Sequence, residues 1–197
     1  MVSEKILDKK LQKKLRIEDA AQRLLLENGV ENTSVDEIVQ AAGIAKGTFY
    51  LYFADKEELV RCCVFRMCAA LLYDAYLQSA QSGNRPVADR VLAMAEYIID
   101  YYTENVGILK LIYHDLSRGV LKDDIMEFMS PDFAGMFQEM FSYDTEKEYR
   151  QIIHRVFISI ELTSSLSYLA IVEKKPDTIE VMKPYILDSV RKILGKG

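Results

Sequence analysis

The sequence predicts an all-α fold. Apolar residues recur at helical spacing through most long segments, and glycine or proline residues fall between those segments. Residues 158–163 alternate with a period of two, as a strand would. This run lies inside a longer helical stripe and has no partner strand, so we predict helix there as well.

The first predicted helix carries one buried stripe. Its apolar residues follow the i, i+3, i+4, i+7, i+8 spacing: Ile17, Ala20, Ala21, Leu24 and Leu25. Gly29 is a C-terminal stop signal. A second, two-turn helix covers about residues 34–42 and ends at Gly43. Ser34 is a good N-cap for it, and Glu37 three residues later suits a capping box.

Three further helices follow from capping and periodicity. Asp55 is predicted to cap a helix from about Lys56 to Gln81. Tyr149–Val172 carries apolar residues on two faces, which predicts burial on both. Ile179–Leu194 carries one stripe, and Pro184 inside it is predicted to kink or interrupt the helix.

The distribution of charge matters more than its total. The formal net charge is −5, which taken as uniform argues against nucleic-acid binding. However, residues 1–54 are neutral, and residues 5–16 hold six cations against one anion. This run is either a solvated, frayed terminus or an arm that meets phosphate, and a DNA-reading element behind it would favour the second interpretation.

Several classes of protein are disfavoured. No apolar run reaches the roughly 18 residues of a membrane span, and the lysine-rich start does not resemble a secretory signal. Three cysteines in one short stretch, Cys62, Cys63 and Cys68, make no disulfide framework and cannot converge on one metal ion from a helix, so we expect a cytoplasmic protein without a metal. The two histidines lie forty positions apart and no catalytic motif is visible, so we expect neither an enzyme nor a cofactor.

A helix-turn-helix is the informative feature. The helix over residues 34–42 is followed by a glycine turn and then by a second short helix from Lys46 to Phe53. At 100° per residue, Phe49, Tyr52 and Phe53 fall on the side that packs on the first helix. The spacing alone leaves open a helical protein that does not bind DNA, in which the aromatic residues are simply core.

The opposite side of the second helix is predicted to enter the major groove. Gly47 and Leu51 point directly outward: glycine lets the backbone approach DNA, and leucine suits a thymine methyl group. The predicted groove residues are Lys46, Gly47, Thr48, Tyr50 and Leu51. The predicted phosphate donors lie at neighbouring helix starts and at the edge: Thr33, Ser34, Tyr52 and Lys56.

The stretch from Asn32 to Leu59, with the string Lys-Gly-Thr-Phe-Tyr-Leu-Tyr-Phe followed by Asp-Lys-Glu-Glu-Leu, resembles the DNA-binding domain of the TetR (tetracycline-repressor-like) family. With the first helix, the resemblance covers about residues 14–60. It implies a DNA-binding domain over residues 1–55 and a larger helical effector-binding and dimerisation domain over residues 56–197. Two residues depart from the family pattern: Ala45 replaces a small hydroxyl residue that caps the recognition helix, and Leu51 replaces His or Asn.

The resemblance implies a homodimer that binds a palindromic double-stranded DNA operator and is released by a small-molecule effector, with no membrane role. We expect a ligand-responsive transcriptional regulator, a repressor rather than an activator. A helical protein-interaction module that kept the fold without binding DNA is the alternative.

The C-terminal part carries no motif, so its sites rest on patterns and on the resemblance. A largely apolar effector is expected against aromatic, methionine and scattered polar residues: Met94, Tyr97, Tyr101, His114, Met129, Phe133, Phe137, Phe157 and Glu161. Such residues are more often ordinary core, and that alternative stays open. The last two long helices are expected to form the dimer interface through Ile158, Leu162, Ser165, Leu169, Ile186 and Val190.

Overall fold

A computed structural model describes residues 2–80, 86–117 and 145–195. These residues contain helices and no strand, which confirms the all-α prediction. The elements in order are α1 (Val2–Asn28), α2 (Val35–Ala42), α3 (Lys46–Phe49), α4 (Lys56–Ala80), α5 (Val87–Glu104), α6 (Val106–Ser117), α7 (Glu146–Tyr168), a π-helix (Leu169–Glu173) and α8 (Ile179–Leu194). Residues 158–163 are helical, as predicted.

The chain divides into two compact units, Met1–Met67 and Cys68–Gly197, hereafter the N-terminal unit and the C-terminal unit. The division falls inside α4, whereas the domain boundary expected from the sequence lies just before this helix. Because α4 is continuous, its first half supplies core to the N-terminal unit and its second half to the C-terminal unit.

Local signals define α2 at both ends. Ser34 and Glu37 form the predicted capping box, in which the Ser34 side chain accepts from the Glu37 amide and the Glu37 carboxylate accepts from the Ser34 amide. At the other end Gly43 is left-handed, with φ 64°. The Gly43 amide donates to Gln40 O, and the Ile44 amide donates to Val39 O at 3.0 Å. This Schellman pairing turns the chain sharply toward α3.

The N-terminal unit is built around a small apolar core shared by its four helices. The buried residues include Ile17, Ala21, Leu25, Ile38, Phe49, Phe53, Leu59 and Val64. An ionic cluster joins α4 to α1: the Arg66 guanidinium lies 3.2 Å from Glu18 and 2.6 Å from Asp19. Glu18 is only 6% exposed, and the Arg66 guanidinium compensates for the burial of its carboxylate. Without this partner, burial of the charge would be strongly unfavourable.

In the C-terminal unit, α8 packs on α7 and α5, and α6 packs on α7. A stacked ring pair fixes the α6–α7 contact, with the centroids of Tyr113 and Tyr168 3.7 Å apart. Between α5 and α8, the Lys183 ammonium lies 2.6 Å from Asp100 and 3.3 Å from Glu96. These contacts, together with the apolar stripes, hold the helices of this unit together.

Helix α8 corrects part of one prediction: Pro184 does not interrupt it, because the helix runs from Ile179 to Leu194 with the proline inside it. Proline removes one helical hydrogen bond at a cost of about 3 kcal/mol. Ile186 and Val190, just beyond it, are fully buried, and their packing compensates for that loss. The segment Glu146–Glu173 is long and apolar enough to cross a membrane, a test that core helices of soluble proteins also pass.

Candidate nucleic-acid interface

The second helix of the motif, α3, is shorter than predicted. It makes one α-helical turn, Lys46–Phe49, which is followed by hydrogen bonds between residues three apart. Leu51 N donates to Thr48 O, and Tyr52 N donates to Phe49 O at 2.9 Å. Ala45 at its N-cap provides no side-chain hydrogen bond, as the departure at this position predicts. The segment Lys46–Phe53 is therefore stabilised mainly by the apolar core on which it packs and less by its own backbone hydrogen bonds.

The inner side of this segment is the predicted one. Phe49 is fully buried, Phe53 is 2% exposed, and their ring centroids are 5.7 Å apart. Tyr52 is half-buried. The Lys14 ammonium lies over the Phe53 ring, 5.7 Å from its centroid. The aromatic pair anchors the segment and thereby determines which residues face outward.

The outer side presents the predicted groove residues to solvent. Leu51 is 75% exposed and Tyr50 is 52% exposed, while Thr48 is half-buried. Gly47 is exposed, its φ is not positive, and a Cβ built on it would meet no atom within 4 Å. Neither backbone conformation nor packing within the protein accounts for glycine there, whereas close approach of another molecule's backbone would.

Lys46 is paired on this surface. Its ammonium lies 2.8 Å from the Asp36 carboxylate in the first turn of α2, and both side chains are exposed. The hydrogen bond to Asp36 raises the pKa of Lys46 above its usual value. This partner was not predicted, because its only signal in the sequence is an acidic residue ten positions earlier, across the turn.

Thr33 corrects a second prediction. It is 1% exposed, and its hydroxyl lies within donor distance of two carbonyls, Gly29 O at 2.8 Å and Leu24 O at 3.3 Å. The side chain therefore satisfies the end of α1 instead of facing a phosphate. A buried hydroxyl must be paired within the protein, and the exposed carbonyls at a helix end are the nearest acceptors.

Lys56 also makes hydrogen bonds within the protein, close to Thr33. Its ammonium donates to Val30 O at 3.0 Å and to Thr33 O at 3.1 Å, and the residue is half-buried. It thus fastens the start of α4 to the loop between α1 and α2. One of the three ammonium protons is left for another acceptor.

Ser34 remains exposed at the N-terminus of α2. Its hydroxyl donates to Glu37 Oε2 at 2.7 Å, and its amide donates to the same oxygen at 2.8 Å. These bonds lower the pKa of the Glu37 carboxyl below its usual value. A phosphate at this helix end would have to displace a carboxylate from the Ser34 donors.

The cation-rich run over residues 5–16 is helical, since α1 begins at Val2. Lys9, Lys10 and Lys13 are exposed, while the side chains of residues 2–8 lie outside the described part of the structure. The basic residues are therefore carried on the first turns of a long helix instead of on an extended arm.

Comparisons with known proteins agree with this arrangement. The sequence profile of the tetR family of bacterial regulatory proteins matches residues 17–63. The HTH-type transcriptional regulator SAB2452 of Staphylococcus aureus is 26% identical over 182 residues, 90% of this chain and 92% of that relative. The chain belongs to the TetR family. It is a DNA-binding transcriptional regulator of that family.

A second relative matches a shorter stretch of the chain. The fatty acid metabolism regulator protein of Bacillus subtilis is 41% identical over 54 residues, which cover 27% of this chain and 28% of that protein. Two solved structures share the TetR fold. The fatty acid degradation regulator FadR from Bacillus halodurans has a TM-score of 0.56 at 19% identity and covers 93% of this chain and 95% of its own. RolR in complex with resorcinol has a TM-score of 0.61 at 18% identity and covers 97% of each chain.

In the C-terminal unit of this TetR-family protein, the residues predicted to line an effector pocket differ in how far they are buried. Met94 is buried, Tyr97 and Tyr101 are half-buried with ring centroids 6.5 Å apart, and Glu161 is half-buried. Phe157 corrects the prediction, because it is 38% exposed on the outside of α7. Met129, Phe133 and Phe137 lie outside the described residues, as does the side chain of His114 on α6.

The predicted dimer residues divide between surface and core. On α7, Ile158 is 49% exposed and Leu162 and Ser165 are half-buried, as is Leu169 at the start of the π-helix. On α8 the prediction is wrong: Ile186 and Val190 are fully buried within one chain, because that face of α8 packs on α5 and α7. The apolar residues that α8 exposes are Val181 and Tyr185, at 46% and 68%.

Proposed function

We propose that this TetR-family protein is a ligand-responsive repressor that binds a palindromic operator as a homodimer and is released by a small-molecule effector. The single observation that carries the DNA-binding geometry is the outer side of α3 and of the two residues after it, Tyr50 and Leu51. Its glycine has open space around it, and the apolar Leu51 stands 75% exposed beside Tyr50 and Lys46. This pattern suits a protein backbone that approaches DNA closely in the major groove.

The proposed groove contacts come from Lys46, Gly47, Thr48, Tyr50 and Leu51. Phosphate contacts come from the exposed edge, with Ser34 at the start of α2, Tyr52 beside the groove and the remaining proton of Lys56. Thr33 is not among them. Phosphate contacts fix the register of α3, and base contacts supply the sequence preference.

Homodimerisation is proposed through the outer faces of α7 and α8. Ile158, Leu162 and Ser165 follow helical spacing along one side of α7, and Leu169 follows at the start of the π-helix. None of the four is fully buried in the single chain. Tyr185 adds a large exposed ring on α8. Ile158→Asp and Tyr185→Asp should each shift the protein toward monomer in analytical ultracentrifugation. Gln78→Asp, at an exposed position of α4, is a control for added charge. A dimer that survives both Ile158→Asp and Tyr185→Asp contradicts this interface.

The effector is proposed to bind inside the C-terminal unit near α5, where Met94, Tyr97 and Tyr101 offer an adaptable, largely apolar lining. RolR, which shares the fold, is solved with resorcinol, and this supports a small organic effector. We infer no catalytic activity, because the relatives are transcriptional regulators, and we place the protein in the bacterial cytoplasm, where such regulators act.

The test is a mobility shift with the promoter DNA of the gene itself and its neighbours at low salt. Lys46→Ala combined with Tyr50→Ala should weaken binding at least tenfold, since two groove contacts are removed. The matched control is Lys175→Ala combined with Tyr73→Ala, which removes an exposed lysine and an exposed tyrosine from the C-terminal unit. Equal affinities for the two double variants would mean that the outer side of α3 is not the groove face. A folded dimer that shifts no DNA would favour a protein-interaction module instead.

A further inference from the structure

Arg90, in the first turn of α5, has a guanidinium that is only partly paired. Its Nε and Nη2 atoms are buried and have no hydrogen-bond partner. No carboxylate of the described residues forms an ion pair with it. By contrast, the half-buried Arg66 guanidinium is paired with the buried carboxylate of Glu18 at 3.2 Å.

The two unpaired atoms belong together chemically. Nε–H and one Nη2–H bond point in parallel from the same edge of the guanidinium plane, and this edge matches the two oxygens of a carboxylate. A buried guanidinium edge that lacks acceptors is unfavourable by itself. An anion that supplied both acceptors would therefore bind here with a gain that an exposed arginine does not offer.

The orientation of this edge is fixed from one side. The Arg90 Cζ lies 5.1 Å from the centroid of the Tyr76 ring on α4, a cation–π contact, and Tyr76 is 7% exposed. One face of the guanidinium is therefore covered by a buried ring. Further along α5, Val91 and Met94 are buried, so the buried side of the helix next to Arg90 is apolar.

We propose that Arg90 binds the carboxylate of an amphipathic effector through its Nε/Nη2 edge. This inference rests on the proposed function, because it names the chemical class of the effector. The carboxylate would complete the hydrogen bonding of Arg90, and the apolar body would pack beside the lining of α5. The Tyr76 ring would keep the guanidinium in place in the absence of effector.

Direct binding to the full-length protein tests the inference. Isothermal titration calorimetry compares decanoate with decanol and benzoate with benzyl alcohol, so that each pair differs in the head group on a constant body. Decyl phosphate is added to distinguish a carboxylate site from a phosphate site. We expect at least one carboxylate to bind about tenfold to 100-fold more tightly than its alcohol, the range for a charge-assisted, two-pronged bond.

Arg90→Met should abolish this preference, and Arg90→Lys, which keeps the charge but not the two-pronged edge, should retain only part of it. The control Arg191→Met removes an exposed arginine of α8 and should leave the preference unchanged. Circular dichroism and DNA binding of the same preparations separate misfolding from loss of the site.

Three outcomes overturn the proposal: no preference for either carboxylate in the wild type, a preference that survives in Arg90→Met, or tighter binding of decyl phosphate than of decanoate. A wild-type protein that shifts its promoter DNA but shows no carboxylate preference contradicts only the role of Arg90. A protein that binds decanoate through Arg90 but shifts no DNA contradicts the proposed function instead.

Discussion

The ammonium of Lys46 in α3 lies 2.8 Å from the carboxylate of Asp36 in α2. This ion pair joins the two helices of the helix-turn-helix on its solvent side, opposite the aromatic core. It also places an anion next to the cation that we expect to approach DNA. Asp36 and a DNA phosphate would therefore compete for Lys46.

Releasing Lys46 should strengthen DNA binding. We expect Asp36→Asn to raise operator affinity about two- to fivefold, because a surface ion pair no longer competes with phosphate. Lys46→Ala should lower the affinity and reduce the slope of log K against log salt concentration by about 0.9, the value for one phosphate contact. Fluorescence anisotropy at several salt concentrations measures both quantities.

The control for these variants is Lys175→Ala, which removes a cation from an exposed pair with Glu173 at 3.6 Å in the C-terminal unit. It should leave the slope unchanged. If Lys46→Ala and Lys175→Ala give the same slope, Lys46 makes no phosphate contact.

The two glycines of the motif should respond differently to alanine. Gly47→Ala should keep or raise stability, by up to about 1 kcal/mol, because alanine favours helix and meets no neighbour there. It should nevertheless weaken operator binding at least tenfold, since a methyl group would separate the backbone from DNA. Gly43→Ala should lower stability by roughly 1–2 kcal/mol, because φ 64° strains any residue with a Cβ. Thermal denaturation combined with DNA binding distinguishes the two, and intact DNA binding in Gly47→Ala would refute the close approach.

A serine at position 45 should restore the missing cap. Ala45 has the extended backbone of an N-cap residue, φ −75° and ψ 147°, but no side-chain acceptor. Ala45→Ser should therefore raise the unfolding free energy by about 0.5–1 kcal/mol, whereas Ser34→Ala should lower it by about 1 kcal/mol through loss of the α2 cap. Urea denaturation measures both changes. A destabilised Ala45→Ser protein would show that this position is not available to a hydroxyl.

Alkaline pH should destabilise the protein through Cys63 and Tyr102. Burial raises the pKa of the Cys63 thiol to about 12, and its Sγ donates to Glu18 O. Burial also raises the pKa of the Tyr102 phenol. The unfolded chain releases the thiol proton above pH about 8.5 and the phenol proton above pH about 10, whereas the folded state keeps both. Stability therefore falls as pH rises, at up to about 1.4 kcal/mol per pH unit for each group. The loss should run from pH about 9 to about 12.

Cys63→Ser should make the alkaline decline shallower, because serine does not titrate in this range. Cys62→Ser, which changes the adjacent half-buried thiol, should have the smaller effect. Urea denaturation at pH 7, 9 and 10 measures the slopes. Identical slopes for Cys63→Ser and the wild type would mean that the thiol is not protected in the folded state.

Short-range signals predicted much of the N-terminal unit correctly. The Ser34–Glu37 box, the turn at Gly43 and the inward side of Phe49 and Phe53 all follow from residues within four positions of one another. Capping and periodicity are local properties, and a local sequence contains them. The burial of Thr33 was not predicted, because it depends on the carbonyls at the end of a preceding helix.

In the C-terminal unit, by contrast, local patterns did not predict which helices pack together. The stripe of α8 correctly indicated a helix, but not which partner would bury it, so Ile186 and Val190 were assigned to a second copy while they pack on α5 and α7. A periodic pattern states that a face is buried and not what covers it. The continuity of α8 through Pro184 has the same origin, since the surrounding packing outweighs the lost hydrogen bond.

The sequence by itself determined the helical class, the family, the caps and the side of α3 that faces solvent, because these depend on residue types at short spacing. The tertiary structure alone decided which groups the charged side chains meet: Asp36 with Lys46, Lys56 with the carbonyls of Val30 and Thr33, and the Arg90 guanidinium with the Tyr76 ring. Those pairings join residues from 10 to 26 positions apart, and their distances depend on how whole helices pack. No local pattern contains that information.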